Sequence, residues 1–138
     1  MTTFLGFDFG TAKIGVAVGQ SITGTATPLV TLRTVQQHPD WRRIGELIAT
    51  WQPAELVVGL PCDIDGRETD IAAPAKRFAR QLEGRYRLQV HMVDERLTSM
   101  EARRHLRRRP RNIEELDAIA AGLILETWFS IAVSQPSE

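Results

Sequence analysis

The sequence contains a single cysteine, and this scarcity excludes one class of fold. Because Cys62 has no partner in the chain, no intrachain disulfide can form, so a disulfide-stapled secreted scaffold is excluded. A lone cysteine fits a reducing compartment best. No apolar run approaches the length that spans a membrane, and the N-terminus lacks a basic segment followed by an apolar one. We therefore expect a soluble, cytoplasmic protein with no membrane partner.

A net charge of one sign is also absent, because 17 Lys and Arg residues balance 17 Asp and Glu residues. The overall charge therefore neither favours nor excludes nucleic acid, and the local distribution of charge has to decide. Of the 138 residues, 43% are hydrophobic, which suffices for one domain with its own core. We expect a single domain over residues 1–132 and a flexible tail over residues 133–138.

The order of predicted elements indicates the fold class. Five segments have the composition of β-strands: residues 3–9, 13–19, 26–33, 55–61 and 87–93. Helical patterns follow Asp40, cover residues 71–83, begin at a capping box of Thr98 and Glu101, and cover residues 113–130 after Asn112. The order βββαβαβαα predicts an α/β fold with a central five-stranded mixed sheet and helices on both faces. This is the element order of the ribonuclease H-like fold.

Several local features sharpen this prediction. Pro28 places the third strand at a sheet edge, since proline cannot donate to a strand ladder. Asp40 is expected to cap the first helix, and Gly84 is expected to end the second. The three tryptophans fall on apolar helical faces and are expected in the core: Trp41, Trp51 and Trp128.

Three carboxylates occupy positions that a chain normally avoids. Asp8 lies inside the first strand, FLGFDFG; Glu95 ends the fifth strand, with Asp94 beside it; and Asp117 lies on the last helix. The helical period predicts an inward face for that helix made of Ile113, Leu116, Ala120, Ile124 and Trp128. Asp117 comes four residues after Ile113 and three before Ala120, so we expect it to face inward with them.

A divalent cation would explain why three acids are placed in this way. A buried carboxylate is costly unless it is paired or binds a metal, and Mg²⁺ prefers oxygen ligands. Each acid also has a structural explanation: Asp8 as a polar residue near the Gly10 turn, Glu95 as a strand end, Asp117 as a charge at the positive end of a helix. Taken together, they predict a site for two divalent ions, which can hydrolyse a phosphodiester bond.

Four segments resemble the YqgF/RuvX family: FDFGTAKIGVAVG (7–19), VGLPCDIDG (58–66), DERLTSMEA (94–102) and LDAIAA (116–121). Members of this family are bacterial nucleases of the ribonuclease H fold, described as Holliday-junction-resolvase-like and as nucleases that process pre-16S rRNA. The resemblance covers nearly the whole chain. It implies that the catalytic and metal-binding acids are Asp8, Glu95 and Asp117, with Mg²⁺ or Mn²⁺ as the two ions.

The segment before Asp117 departs from the family pattern. RRRPRNIEEL (107–116) stands where a loop with Lys and Gly is common, so no Lys contact is transferred, and the roles of Glu114 and Asp94 stay open.

The basic run RRHLRRRPR (103–111) flanks the predicted site and favours contact with a phosphate backbone, although a solvated surface in an Arg-rich chain is the alternative. The candidate nucleic-acid-binding residues are Lys13, Arg96, Arg103, Arg107, Arg108, Arg109 and Arg111.

We therefore expect a metal-dependent nuclease, and the resemblance implies processing of the 5′ end of pre-16S rRNA. The alternative substrate is a Holliday junction, which requires a dimer to engage two symmetric strands. Nothing in the sequence fixes the oligomeric state, so a monomer or a weak homodimer is expected.

Two rival functions rank lower. DFGTAKIGVAV also resembles the phosphate loop of actin-like and Hsp70-like ATPases, but those need two such domains. A non-catalytic binding module would not keep a cluster of acids.

Overall fold

Eight elements make up the part of the chain that the structure, a computed structural model, describes: residues 2–36, 38–61, 67–95 and 113–134. They are β1 (Thr3–Phe9), β2 (Lys13–Gln20), β3 (Thr25–Arg33), α1 (Trp41–Trp51), β4 (Glu55–Leu60), α2 (Ala72–Tyr86), β5 (Gln89–Asp94) and α3 (Ile113–Ser134). Their order agrees with the predicted one. The helix predicted from Thr98 and Glu101 lies outside the described residues.

The strands form one five-stranded mixed sheet with the order β3-β2-β1-β4-β5. The β1–β2 and β2–β3 pairs are antiparallel, whereas β1–β4 and β4–β5 are parallel. The predicted mixed sheet is confirmed, and so is the edge position of β3, the strand that contains Pro28. β1 is the central strand, so Asp8 lies in the middle of the sheet.

Helices cover both faces of the sheet. Successive residues of each strand point to opposite faces, so each face presents its own set of apolar side chains to be buried. On one face, Leu5, Phe7 and Val16 pack with α1 and α2 in a core cluster that includes Phe78 and Leu82. On the other face, a second cluster joins the sheet to α3: Phe4, Ala17, Val57, Val93, Ala121, Ile124, Leu125 and Phe129. The predicted arrangement of helices on both faces is confirmed.

The N-terminus of α1 agrees with the prediction from the sequence, whereas the exposure of its last residue, Trp51, does not. The side chain of Asp40 accepts a hydrogen bond from the backbone N–H of Arg43 at 3.3 Å, so Asp40 is the predicted N-cap. Ile44 is fully buried. Trp51 is 39% exposed, and its predicted core position is wrong. The residue ends the helix beside Gln52, whose left-handed conformation turns the chain away.

The end of α2 differs from the prediction for a physical reason. The helix does not stop at Gly84 but continues to Tyr86, and Arg87 adopts the left-handed conformation with φ 55°. Two contacts with Trp41 hold this last turn: the Arg85 guanidinium lies 4.1 Å from the indole centroid, and the Tyr86 hydroxyl donates to the Trp41 carbonyl at 3.5 Å. Tertiary contacts therefore override the glycine signal.

Tyr86 gives a direct test of this packing. Burial raises the pKa of Tyr86 above 10.0, and the charge of Arg85 offsets part of the rise. Tyr86 is the only tyrosine in the chain, so phenolate absorbance reports this group alone. We expect the midpoint in the native protein to lie above the midpoint in concentrated urea. The packing is contradicted if the two midpoints coincide.

The sign of the linked effect on stability follows from the direction of this pKa shift. The folded state holds the phenolic proton more tightly than the unfolded state does. The contribution of Tyr86 to the free energy of unfolding is therefore complete below about pH 10 and is lost as the pH rises through the folded pKa.

α3 is the longest described helix, and its buried side is rotated from the predicted one. Among its described side chains, the buried apolar residues are Ala118, Ala121, Ile124, Leu125 and Phe129. Of the predicted inward face, Ile124 is buried and Leu116, Ala120 and Trp128 are half-buried, while the side chain of Ile113 lies outside the described residues. The helix is apolar on most sides, so its sequence period selects no single face. It also runs to Ser134, beyond the predicted end at 130. In the described ranges, no helix has the length and apolar character needed to cross a membrane.

Candidate active site

A glycine beside Asp8 lets α3 approach the sheet directly. In the β1–β2 ladder, Asp8 pairs with Gly15. A Cβ atom built on Gly15 would lie only 1.9 Å from the carbonyl oxygen of Asp117. The backbone of α3 at Asp117 therefore rests on the strand that neighbours Asp8, and no side chain fits between them.

A second glycine lies on the other side of Asp8. In the parallel β1–β4 ladder Phe7 pairs with Val58, so the next step places Gly59 beside Asp8. A Cβ atom on Gly59 would lie 2.8 Å from Oε1 of Glu95 and 2.5 Å from Cδ1 of Ile124. The Glu95 carboxylate therefore lies over Gly59, next to Asp8 on the side opposite Asp117.

The pleat of the sheet places these groups on one face. Directly opposed residues in a ladder share a face, so Asp8 points to the same side as Gly15, the side covered by α3. Val93 belongs to the cluster under α3, so by alternation Asp94 belongs to the opposite face. Glu95, rather than Asp94, thus shares the face of Asp8. The structure brings together the three segments that carry the predicted acids.

The chemistry of these donors suits a hard divalent cation. Asp8, Glu95 and Asp117 are half-buried and supply only carboxylate oxygens, the ligands that Mg²⁺ and Mn²⁺ accept. In the described segments, however, no three His, Cys, Asp or Glu side chains lie close enough together to form a metal site. The assignment of these three acids as metal ligands stays a prediction.

The predicted nucleic-acid-binding residues divide into one that the structure describes and six that it does not. Lys13 opens β2 and is half-buried. It comes two residues before Gly15, so it lies on the face of Asp8. Its contact with phosphate stays a prediction. The other six lie outside the described residues: Arg96, Arg103, Arg107, Arg108, Arg109 and Arg111. The side chain of Glu114 does as well.

Sequence reasoning missed the role of Gly15, although the sequence contains a signal for it. A glycine inside a strand weakens the strand and often marks a point where another backbone approaches. Gly6, Gly15 and Gly19 are all buried strand residues, and each would clash with α3 if it gained a Cβ atom. The glycines in β1 and β2 indicate a helix packed closely against the sheet, at backbone distance for Gly6 and Gly15 and through the Phe129 ring for Gly19.

Solved structures resemble this chain in fold. A RuvC structure from Thermus thermophilus aligns with a TM-score of 0.58 at 17% identity and covers 99% of this chain and 100% of its own. A Fowlpox virus resolvase, solved with substrate Holliday junction DNA, aligns with a TM-score of 0.57 at 10% identity and covers 97% of this chain and 100% of its own. At these identities the likeness shows the fold alone, and it agrees with the predicted ribonuclease H-like architecture.

Sequence relatives are much closer. A protein from Methylococcus capsulatus is 57% identical over 139 residues, which cover 97% of this chain and 92% of the relative. One from Proteus mirabilis is 46% identical over 131 residues, covering 92% of this chain and 94% of the relative. Both carry the name "Putative pre-16S rRNA nuclease". The model of the RuvX family, described as Holliday junction resolvase, matches residues 2–131. As its sequence motifs indicate, the chain belongs to the RuvX family.

Proposed function

We propose that this protein is a metal-dependent nuclease that hydrolyses phosphodiester bonds and processes the 5′ end of pre-16S rRNA in the cytoplasm. One observation carries the proposal: Asp8 stands between two glycines, and Glu95 lies over one of them while the backbone of Asp117 lies over the other. The names of the relatives support the choice of substrate, and membership of the RuvX family supports a nuclease.

In this proposal the three acids are the metal ligands, and the surrounding strands and glycines position these acids. Asp8, Glu95 and Asp117 would hold two Mg²⁺ or Mn²⁺ ions, and ions held there would supply activation of water and stabilisation of the departing 3′ oxygen. Asp8 is fixed because it belongs to the central strand, with a paired strand on each side. Gly15 and Gly59 admit the other two acid-bearing segments. Lys13, on the same face, contacts the phosphate, and the products carry a 5′-phosphate.

The Holliday junction is the second candidate substrate, and the description of the RuvX family favours it. A four-way junction presents two symmetric strands, and cutting both needs two active sites related by a twofold axis. An RNA-processing enzyme has no such requirement. We propose a monomer or a weak homodimer, with dimerisation required only if the junction is the substrate.

A comparison of substrates tests this proposal. End-labelled pre-16S rRNA fragment, an unrelated single-stranded RNA of equal length and a four-way DNA junction are each incubated with Mg²⁺, with Mn²⁺ and with EDTA. We expect metal-dependent cleavage of the precursor at a rate at least about tenfold above that of the junction, a difference of roughly 1.4 kcal/mol in the barrier. The product ends are checked for a 5′-phosphate by their sensitivity to phosphatase.

Each other outcome has a defined meaning. Cleavage that prefers the junction, together with a dimer in sedimentation, would replace RNA processing by junction resolution. Equal cleavage with EDTA would remove the divalent metal from the mechanism. If the folded protein cuts none of the three substrates with either metal, the nuclease proposal is wrong for the isolated chain.

A further inference from the structure

A cavity of about 600 Å³ lies on the opposite side of β1 from the three acids. It is lined by residues from five parts of the chain: Phe9, Thr11, Ala12, Thr34, His38, Pro39, Pro74, Arg77, Phe78 and Gln81. Phe78 is buried and Phe9, Pro39 and Pro74 are half-buried, so they form an apolar floor. The exposed residues form a mostly polar rim, which is open to solvent.

This cavity adjoins the candidate active site through the chain itself. Phe9 directly follows Asp8, and alternation along β1 places their side chains on opposite faces of the sheet. Thr11 and Ala12, in the connection from β1 to β2, are exposed and line the cavity. A strand bound at Asp8 therefore reaches the cavity by crossing this short connection.

The lining of the cavity suits a flat aromatic group that carries a negative charge. The rings of Phe9 and Phe78 lie 5.1 Å apart at the floor, and two prolines widen the apolar surface. Arg77 and His38 lie on the rim, whereas none of the described residues that line the cavity is acidic. Its volume is within the range of small-molecule sites. A nucleotide has these properties, since its base is planar and its phosphate is anionic.

We propose that this cavity binds one nucleotide of the substrate strand, with the base against Phe9 and Pro74 and the phosphate at Arg77. The proposal rests on the proposed nuclease function and adds a binding subsite next to its active site. Stacking of a base on an aromatic ring tolerates any sequence, so the subsite holds and orients the strand without selecting bases.

A matched pair of arginine variants tests the phosphate contact. Arg77 and Arg80 are exposed residues of α2, but only Arg77 lines the cavity. Binding of a fluorescent single-stranded RNA is measured by anisotropy in EDTA, where the strand stays uncut, over a series of salt concentrations. We expect Arg77→Gln to weaken binding about tenfold and to lower the salt slope by about 0.7, the value for one phosphate contact with a single strand. Arg80→Gln should change neither.

An abasic scan tests the position of the base. A single abasic nucleotide is moved stepwise along the RNA, and binding is measured at each position. We expect one position at which loss of the base weakens binding about tenfold. In Phe9→Leu, which keeps an apolar side chain and removes the ring, this position-specific loss of binding should disappear, with the fold confirmed by circular dichroism. A purely structural role of Phe9 would leave a position-specific minimum in place.

The outcomes separate this inference from the proposed function. If wild-type protein cleaves RNA, but the abasic scan is flat and the two arginine variants bind alike, the subsite is wrong and the nuclease stands. If wild-type protein cuts nothing, but the position-specific minimum responds to Phe9→Leu, the subsite stands without the nuclease. If a free nucleoside monophosphate binds in an Arg77-dependent way while the scan is flat, the cavity holds a free nucleotide and the strand proposal is wrong. Absence of RNA binding overturns the inference.

Discussion

Asp8→Asn is expected to lower the single-turnover cleavage rate at least about 1,000-fold, because in the proposed mechanism the lost charge binds the metal, and its removal takes several kcal/mol of stabilisation from the transition state. The substitution keeps the shape of the side chain and removes only its negative charge. Asp8 lies in the central strand between the segments of Glu95 and Asp117, so its charge contributes to any metal bound by the three acids. The rate is measured at saturating protein with Mn²⁺ and with Mg²⁺.

The same variant should leave the fold intact. Carboxylates that share a site repel each other, so the free energy of unfolding of Asp8→Asn in EDTA should equal or exceed that of the wild type. Asp94→Asn is the matched control, because it removes a carboxylate from the same end of the sheet but from the opposite face. We expect its cleavage rate to stay within about twofold of wild type, less than 0.5 kcal/mol of barrier. Full activity in Asp8→Asn would end the metal proposal.

Gly15→Ala should be among the most destabilising single substitutions in this chain. The added methyl group would lie 1.9 Å from the carbonyl oxygen of Asp117, and helix backbone cannot rotate aside as a flexible side chain can. Either α3 or β2 has to shift. We expect a loss of about 3 kcal/mol in the free energy of unfolding and a fall of about 10 °C in the melting temperature. Thermal and urea denaturation measure both.

The same shift should weaken catalysis in protein that stays folded. Asp117 would move away from Asp8, and a displacement of about 1 Å in a site can cost about 100-fold in rate. The control is Gly84→Ala. A Cβ atom there meets nothing within 4 Å, and alanine suits the helix interior better by about 0.5–1 kcal/mol. Gly84→Ala should therefore raise stability. A Gly15→Ala protein as stable and active as wild type would contradict the close packing of α3 on the sheet.

The strands could be predicted because their signals are local. β1 and β2 are apolar runs joined at a glycine turn, and β4 is a short continuous apolar run of the kind that both faces of a parallel sheet bury. Pro28 identified the edge strand. These signals needed no knowledge of distant residues, and the observed element order agrees with them.

The elements whose details were wrong depend on distant contacts. Gly84 is a helix terminator by local preference, but Trp41, more than 40 residues away in the chain, holds the turn that follows it. The inward face of α3 was also misplaced. That helix is apolar on most sides, so the sheet and its glycines select the face that is buried, and the sequence of the helix alone does not.

The candidate site shows the same division. Asp8 could be proposed as a candidate from the sequence because a carboxylate inside an apolar strand is costly, and the assignment of the three acids stays a prediction. Gly15 could not be assigned a role before the pairing of β1 with β2 and the position of α3 were known. The cavity behind Phe9 could not be predicted at all, because its lining comes from segments that only the tertiary structure brings together.

The position of α3 at the end of the element order has a consequence for the growing chain on the ribosome. Synthesis from the end of β2 to the start of α3 takes roughly 5–20 s at typical rates, and during this time the meander lacks its cover on one side. The uncovered face contains Gly6, Gly15 and Gly19, so it exposes fewer large apolar side chains than the face with Phe7 and Val16. Asp117 is also synthesised after Asp8 and Glu95. The nascent protein therefore cannot bring the three acids together before all five strands of its sheet have been synthesised.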